Sequence, residues 1–157
     1  MDVIDRKILA LLQQDAHITV EKLSQAVGLS PSPCARRVRN LEAAGVIRAY
    51  VAIVDQVKAG LPISVFASVK LERQREEDLE RFSEAVNRWP EIVECYLMTG
   101  QRDYLLRIVV RDLADYERFL MTRLTKLTGV ASIESSFALG QVKQAQALPL
   151  GQTPGAS

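Results

Sequence analysis

The sequence predicts an α+β chain: a helical N-terminal part built as a winged helix-turn-helix, then a ferredoxin-like βαββαβ part. Three observations predict it. Apolar residues recur at helical spacing up to Gly45. The period then changes to alternation over Val46–Ile53 and again over Ile63–Leu71. Behind that, strand-like and helix-like stretches follow one another in the order β-α-β-β-α-β.

The first helix runs from about residue 2 to 14. Asp2 suits its N-cap, and Ile4, Ile8, Leu11 and Leu12 form its apolar stripe. Asp15-Ala16-His17 reads as a turn. Thr19 caps a second helix with Leu23, Ala26 and Val27 inward, and Gly28 ends it. After Leu29, a third helix has both ends marked: Ser30 at the N-cap, Pro31 at the first helical position, Gly45 just beyond the end. Cys34, Val38 and Leu41 fall on one face of it and predict burial there. Arg36, Arg37, Arg39 and Asn40 are left on or near the other. A short helix with one buried stripe and a guanidinium-rich free face suits the major groove of DNA, where arginine pairs with guanine O6 and N7. The ordinary alternative is a solvated basic face.

Val46–Ile53 is rich in β-branched residues and predicts a strand or wing. Asp55 to Pro62, with Gly60-Leu61-Pro62, predicts a hinge. Ile63–Leu71 reads as a strand with Val65, Ala67, Val69 and Leu71 on one side. A helix follows over Glu76–Trp89, stopped by Pro90, with Leu79, Phe82 and Val86 inward. Ile92–Thr99 and Tyr104–Val110 make a hairpin around Gly100-Gln101-Arg102-Asp103. A helix from Asp112 to Thr128 and a strand from Val130 to about Val142 complete the unit. Two helices cover one face of such a sheet. The opposite face, with Phe66, Tyr96, Met98, Leu105 and Val109, also reads as apolar and predicts self-association.

Composition supports a folded chain: 48% hydrophobic and 25% charged residues over 157 positions. A net charge of +1 points to neither nucleic acid nor membrane. Its distribution is more telling. Between Lys22 and Arg48, the bases Lys22, Arg36, Arg37, Arg39 and Arg48 face the single acid Glu42, whereas acids predominate from Glu72 to Glu94. Cys34 and Cys95 show no CxxC spacing, and each sits in an apolar pattern, so both read as buried thiols. His17, the only histidine, has no metal-spaced or catalytic neighbours. No apolar run reaches membrane-spanning length, and no export signal opens the chain; the expected location is the cytoplasm.

Four motifs occur in order: Asp5-Arg6-Lys7-Ile8-Leu9; Leu23 to Ser30; Ser30-Pro31-Ser32-Pro33-Cys34 followed by Arg36-Arg37-Val38; and Tyr96-Leu97-Met98-Thr99-Gly100 with Asp103-Tyr104. Together they resemble the Lrp/AsnC family of bacterial and archaeal transcriptional regulators, from Asp2 to about Lys143. The resemblance implies a winged helix-turn-helix over 1–54, a hinge over 55–63, an effector-sensing and oligomerising domain (often called RAM) over 64–143, and a flexible tail over 144–157. It implies homodimers assembling further, commonly to octamers, double-stranded DNA as partner, and an amino acid or related small metabolite as effector. No cofactor, metal, membrane partner or catalysis is expected. The rival on this layout is a siroheme-decarboxylase-like enzyme, which is expected to rely on histidines near its substrate; this chain has only His17, far from the sensor half.

On this reading Ser32, Pro33, Arg36 and Arg37 meet bases, and Lys22, Arg39 and Arg48 touch phosphates, with Asn40 beside them. The resemblance places the effector between subunits at Met98, Thr99, Gly100, Asp103 and Tyr104, with Ser135 and Ser136 adding hydroxyls. Gly100 would allow close backbone approach and Asp103 could pair with an α-ammonium. A turn glycine and a local turn cap are the plain alternatives for these two.

Overall fold

The computed structural model describes residues 1–144 and 147–150. The chain divides into two compact units, one of Met1–Ala52 with the described residues from Val142 on, the other Ile53–Gln141.

The first unit packs α1 (Val3–Gln14), α2 (Val20–Val27) and α3 (Pro31–Ala43) around Ile8, Leu9, Leu23, Val27, Cys34 and Leu41. A capping box opens α1: Asp2 Oδ1 accepts the Asp5 N–H and the Asp2 N–H donates to Asp5 Oδ2, both at 2.9 Å. Thr19 Oγ1 accepts the Lys22 N–H at 3.3 Å and starts α2. Gly28 closes α2 at φ 75° and ψ 35°, a left-handed conformation that costs glycine nothing, and the chain turns at once into α3. Two expectations change here. Ser30 stands at the N-cap of α3 but its hydroxyl makes no capping bond. Ser24, not Ala26, joins the buried side of α2, because its hydroxyl donates to the Glu21 carbonyl at 2.9 Å and so carries no unmet polar group inward.

The expected strand over Val46–Ile53 does not form. Val46 and Ile47 both donate to the Leu41 carbonyl, closing the helix end, and residues 48–54 pair with no strand. β-branched residues favour a strand only beside a neighbour that accepts their ladder. Val51 is 74% exposed and has none among the described residues. Residues 145, 146 and 151–157 of the expected tail lie outside the described residues. Leu148 pairs with the Gln13 side chain, its N–H donating to Oε1 at 2.6 Å, and Leu150 packs against the helical core.

The second unit is a four-stranded antiparallel sheet in the order β2-β3-β1-β4, with β1 (Ile63–Leu71), β2 (Ile92–Leu97), β3 (Tyr104–Val110) and β4 (Val130–Phe137). α4 (Glu76–Asn87) and α5 (Leu113–Thr122) are its helices. The alternation of β1 is fully realised: Val65, Ala67, Val69 and Leu71 are buried with Leu106, Ile108, Phe82 and Phe119. Phe82 stacks on Tyr104 with ring centroids 4.2 Å apart, and Trp89 meets Phe119 edge-on at 5.7 Å.

α5 stops at Thr122, six residues short of the expected Thr128, and a single 3-10 turn follows at Leu124–Lys126. The threonines explain it: Thr122 Oγ1 donates to the Arg118 carbonyl and Thr125 Oγ1 to that of Leu120, competing with the backbone ladder. Cys95 is exposed rather than buried, since β2 is an edge strand with no neighbour beyond it. The open face of the sheet is also more polar than expected. Phe66, Tyr96 and Leu105 lie on it, but β1 and β4 contribute Ser68, Lys70, Ser132, Glu134 and Ser136.

Candidate functional site

The buried stripe of α3, Cys34 and Leu41, fixes which residues face away. At about 100° per residue, Ser32, Arg36 and Arg39 centre on the opposite side, with Asn40 at its flank. All four are exposed, and Pro33 is half-buried at the entry. Lys22 on α2 and Arg48 after α3 are exposed as well. Arg37 is different. It lies about 100° round the helix from Arg36. Its Nη1 donates to Asp2 Oδ2 at 2.7 Å and to Asp5 Oδ1 at 2.8 Å. The two carboxylates, Asp5 first, raise the guanidinium above its ordinary value. Asp2 is held below the usual carboxylate range, first by the Asp5 N–H and then by Arg37. The same two acids therefore cap α1 and tie it to α3, and Arg37 belongs to the scaffold rather than to the free face. Burial pushes the Cys34 thiol up beneath that face. His17 sits exposed in its turn, its N–H donating to Asp15 Oδ1 at 2.8 Å.

The sheet unit carries the second set. Met98, Thr99 and Gly100 form an exposed turn between β2 and β3. Gly100 has φ 103°, and nothing would meet a Cβ there; the conformation, not crowding, selects glycine. Asp103 is only 5% exposed. Its carboxylate accepts the Leu71 N–H at 2.7 Å and Gln74 Nε2 at 2.6 Å, with Lys70 Nζ at 3.5 Å. Leu71 lies beyond the last β1–β3 pair, Val69 with Tyr104, so its N–H has no strand partner and takes the side chain instead. Asp103 thus locks the turn to the end of β1, each of its oxygens already accepting one hydrogen bond.

Tyr104 is in the core against Phe82. Ser135 and Ser136, being consecutive on a strand, face opposite ways: Ser135 hydrogen-bonds to Tyr116 of α5, and Ser136 stands opposite Phe66 on the open face. The structure does not bring Ser136 to the turn within one chain. Ser132, four residues and about 13 Å further along β4, is the serine level with Lys70 beside it. Arg102 reaches across from the turn, donating to Ser132 Oγ at 3.0 Å and to Glu134 Oε2 at 2.5 Å. Arg102, Lys70, Ser132 and Glu134 are the polar residues that sequence reasoning missed. Only the β1–β4 register reveals them.

Comparison with known proteins agrees with this division. Residues 1–48 match a family model described as winged helix-turn-helix DNA-binding, and residues 64–148 one described as the Lrp/AsnC ligand binding domain. The chain is similar to the Bkd operon transcriptional regulator of Pseudomonas aeruginosa, with 45% identity over 96% of this chain and 98% of that one. It is 40% identical to the glutamate uptake regulatory protein of Zymomonas mobilis, over 98% and 93% of the two chains. Among solved structures, an AsnC family transcriptional regulator from Agrobacterium tumefaciens superposes with a TM-score of 0.90 at 45% identity, covering 96% of this chain and 97% of that one. A Neisseria meningitidis transcriptional regulator, solved as a complex with L-methionine, gives 0.89 at 37% identity over 96% and 97%.

Proposed function

The chain belongs to the Lrp/AsnC family and is a DNA-binding transcriptional regulator with a ligand-binding domain; on that premise we propose how its residues divide the work. Ser32, Arg36 and Asn40 on the free face of α3 read bases in the major groove, with Pro33 at the entry. Arg39, Lys22 and Arg48 contact phosphates and set position. Arg37 holds the reading helix to α1. The observation that carries this reading is the partition of the α3 arginines: among the described residues Arg36 and Arg39 are exposed and make no ion pair, whereas Arg37 is bound to two carboxylates. Two copies in a homodimer read half-sites about one helical turn or a multiple apart. The protein works in the cytoplasm, through binding rather than catalysis. In keeping with this, the relatives bear the names of regulators, and no helix of the described residues is long and apolar enough to cross a membrane.

The effector is an amino acid or a related metabolite, bound between subunits at the Met98–Gly100 turn. The L-methionine complex of the Neisseria relative supports that class. Asp103 serves there by fixing the turn, whose backbone N–H groups take the α-carboxylate. Phe66 and the 54% exposed Tyr96 on the open sheet face support dimers, and the family resemblance implies their further assembly to octamers.

Titrating native promoter fragments at 50 and 200 mM salt tests the DNA reading. About 6–10 phosphate contacts per dimer weaken binding by about 10³–10⁵ over that range. Binding that ignores salt, or none at all, overturns it. Calorimetry with a panel of amino acids tests the effector reading. Saturable binding of one of them is expected, and binding of none removes the amino-acid class.

A further inference from the structure

The sheet unit holds a second concavity, at the end of β3 away from the Met98–Gly100 turn, about 20 Å along the strand. It measures about 310 Å³, the lower end of the range for small-molecule sites. Its apolar wall is made by Val110, Phe119 and Leu61, the last from the connection before β1. Its rim carries three guanidinium groups, Arg111, Arg118 and Arg123. Two carboxylates hold them in place. Asp115 accepts Arg118 Nη1 at 2.6 Å and Arg111 Nη2 at 2.8 Å through the same oxygen, while its other oxygen takes Arg111 Nε. Glu91 Oε2 accepts Arg123 Nη1 at 2.6 Å, and that guanidinium lies 5.8 Å from the centre of the Phe119 ring.

Among the lining residues three cations face two anions, and a third acid, Asp112, acts on Arg111 from outside the cleft, so the surplus positive charge sits at Arg118 and Arg123 beside the apolar wall. Arg118 and Arg123 each spend one N–H on their carboxylate, and an arginine carries five. The remaining donors are already oriented, so a ligand that uses them loses little side-chain freedom in doing so. An ammonium group would face the cationic rim. We propose that this cleft is a second small-molecule site, binding a short aliphatic carboxylate with its carboxylate on Arg118 and Arg123 and its carbon chain on Val110 and Phe119. The site is separate from the amino-acid reading of the turn and does not depend on it.

The test is calorimetric titration of the full chain with 4-methylpentanoate, with 3-methylbutylamine and inorganic phosphate as counter-probes. One saturable site per chain is expected for the carboxylate and none for the amine, with phosphate weaker by about tenfold or more because it has no chain to bury. Arg118→Gln is expected to weaken the carboxylate about tenfold or more. Arg118→Lys keeps the charge but loses the fork and should fall between the two. Both substitutions are at an exposed position. Trp89, which packs on Phe119, reports by its fluorescence that the variants are folded. No saturable binding of 4-methylpentanoate, equal binding by wild type and Arg118→Gln, or phosphate binding as tightly as the carboxylate each overturns the proposal.

Discussion

Asp103→Ala is the most informative single perturbation of the sheet unit. In the native chain the carboxylate satisfies the Leu71 N–H at 2.7 Å and the Gln74 amide at 2.6 Å from a position only 5% exposed. Alanine removes both acceptor atoms at once. The Leu71 N–H has no strand partner to fall back on, and an orphaned buried donor costs about 1–3 kcal/mol. Gln74 loses a charge-assisted bond but can turn to water, adding about 1 kcal/mol. The Lys70 contact, longer and part-exposed, adds little. The sum is about 2–4 kcal/mol. In a domain of this size that lowers Tm by about 10–25 °C. Asn keeps one acceptor oxygen, so Asp103→Asn should lose less than half as much. Trp89 is the only tryptophan and lies in this unit, so its fluorescence follows the unit's melting. A shift below about 2 °C for Asp103→Ala, or equal shifts for Ala and Asn, refutes the assignment of Asp103 as the lock of the turn.

Three further outcomes follow from the same geometry. Gly28→Ala meets no atom within 4 Å but must keep φ near 75°, so the loss is backbone strain of about 1–2 kcal/mol, measured by urea unfolding; an unchanged midpoint contradicts it. A thiol reagent should label Cys95 in the native chain and spare Cys34 until it unfolds, as mass spectrometry will show; prompt labelling of Cys34 contradicts its burial. Arg111 and then Arg118 hold Asp115 down at about 2, below its ordinary value of 3.8. A depressed carboxylate contributes stability that is fully present above its unfolded-state value and lost as pH falls through the folded one. Carboxyl NMR should place its midpoint near 2, and a midpoint near 4 means the cluster is not formed in solution.

Local patterning made most of the fold legible before any coordinates. The four-residue set Val65, Ala67, Val69 and Leu71 announced both a strand and its buried face. Asp2, Thr19 and Gly28 marked helix ends by chemistry confined to a few neighbouring residues. Arg36 on a free face followed from the Cys34 and Leu41 stripe alone. What escaped the sequence depends on partners distant along the chain. The ion pairs of Arg37 with Asp2 and Asp5 were not legible, because the angle that brings the three together is set by helix packing. That Asp103 also holds the Leu71 N–H could not be read, because the orphaned donor appears only once the β1–β3 register is known. Val46–Ile53 had every residue a strand wants except a neighbour. Arg102, Ser132 and Glu134 meet only across strands thirty positions apart in sequence.

On the proposed division of work, Arg36 reads bases while Arg37 supports the helix that carries it. Fluorescence anisotropy on a native operator and on its scrambled counterpart tests this directly, using wild type, Arg36→Ala and Arg37→Ala. Arg36→Ala is expected to lose about 1–3 kcal/mol per contact on the operator and little on scrambled DNA. Arg37→Ala should leave the salt dependence of binding unchanged, because no phosphate contact is removed. Equal losses on both DNAs for Arg36→Ala, or a shallower salt dependence for Arg37→Ala, would contradict it.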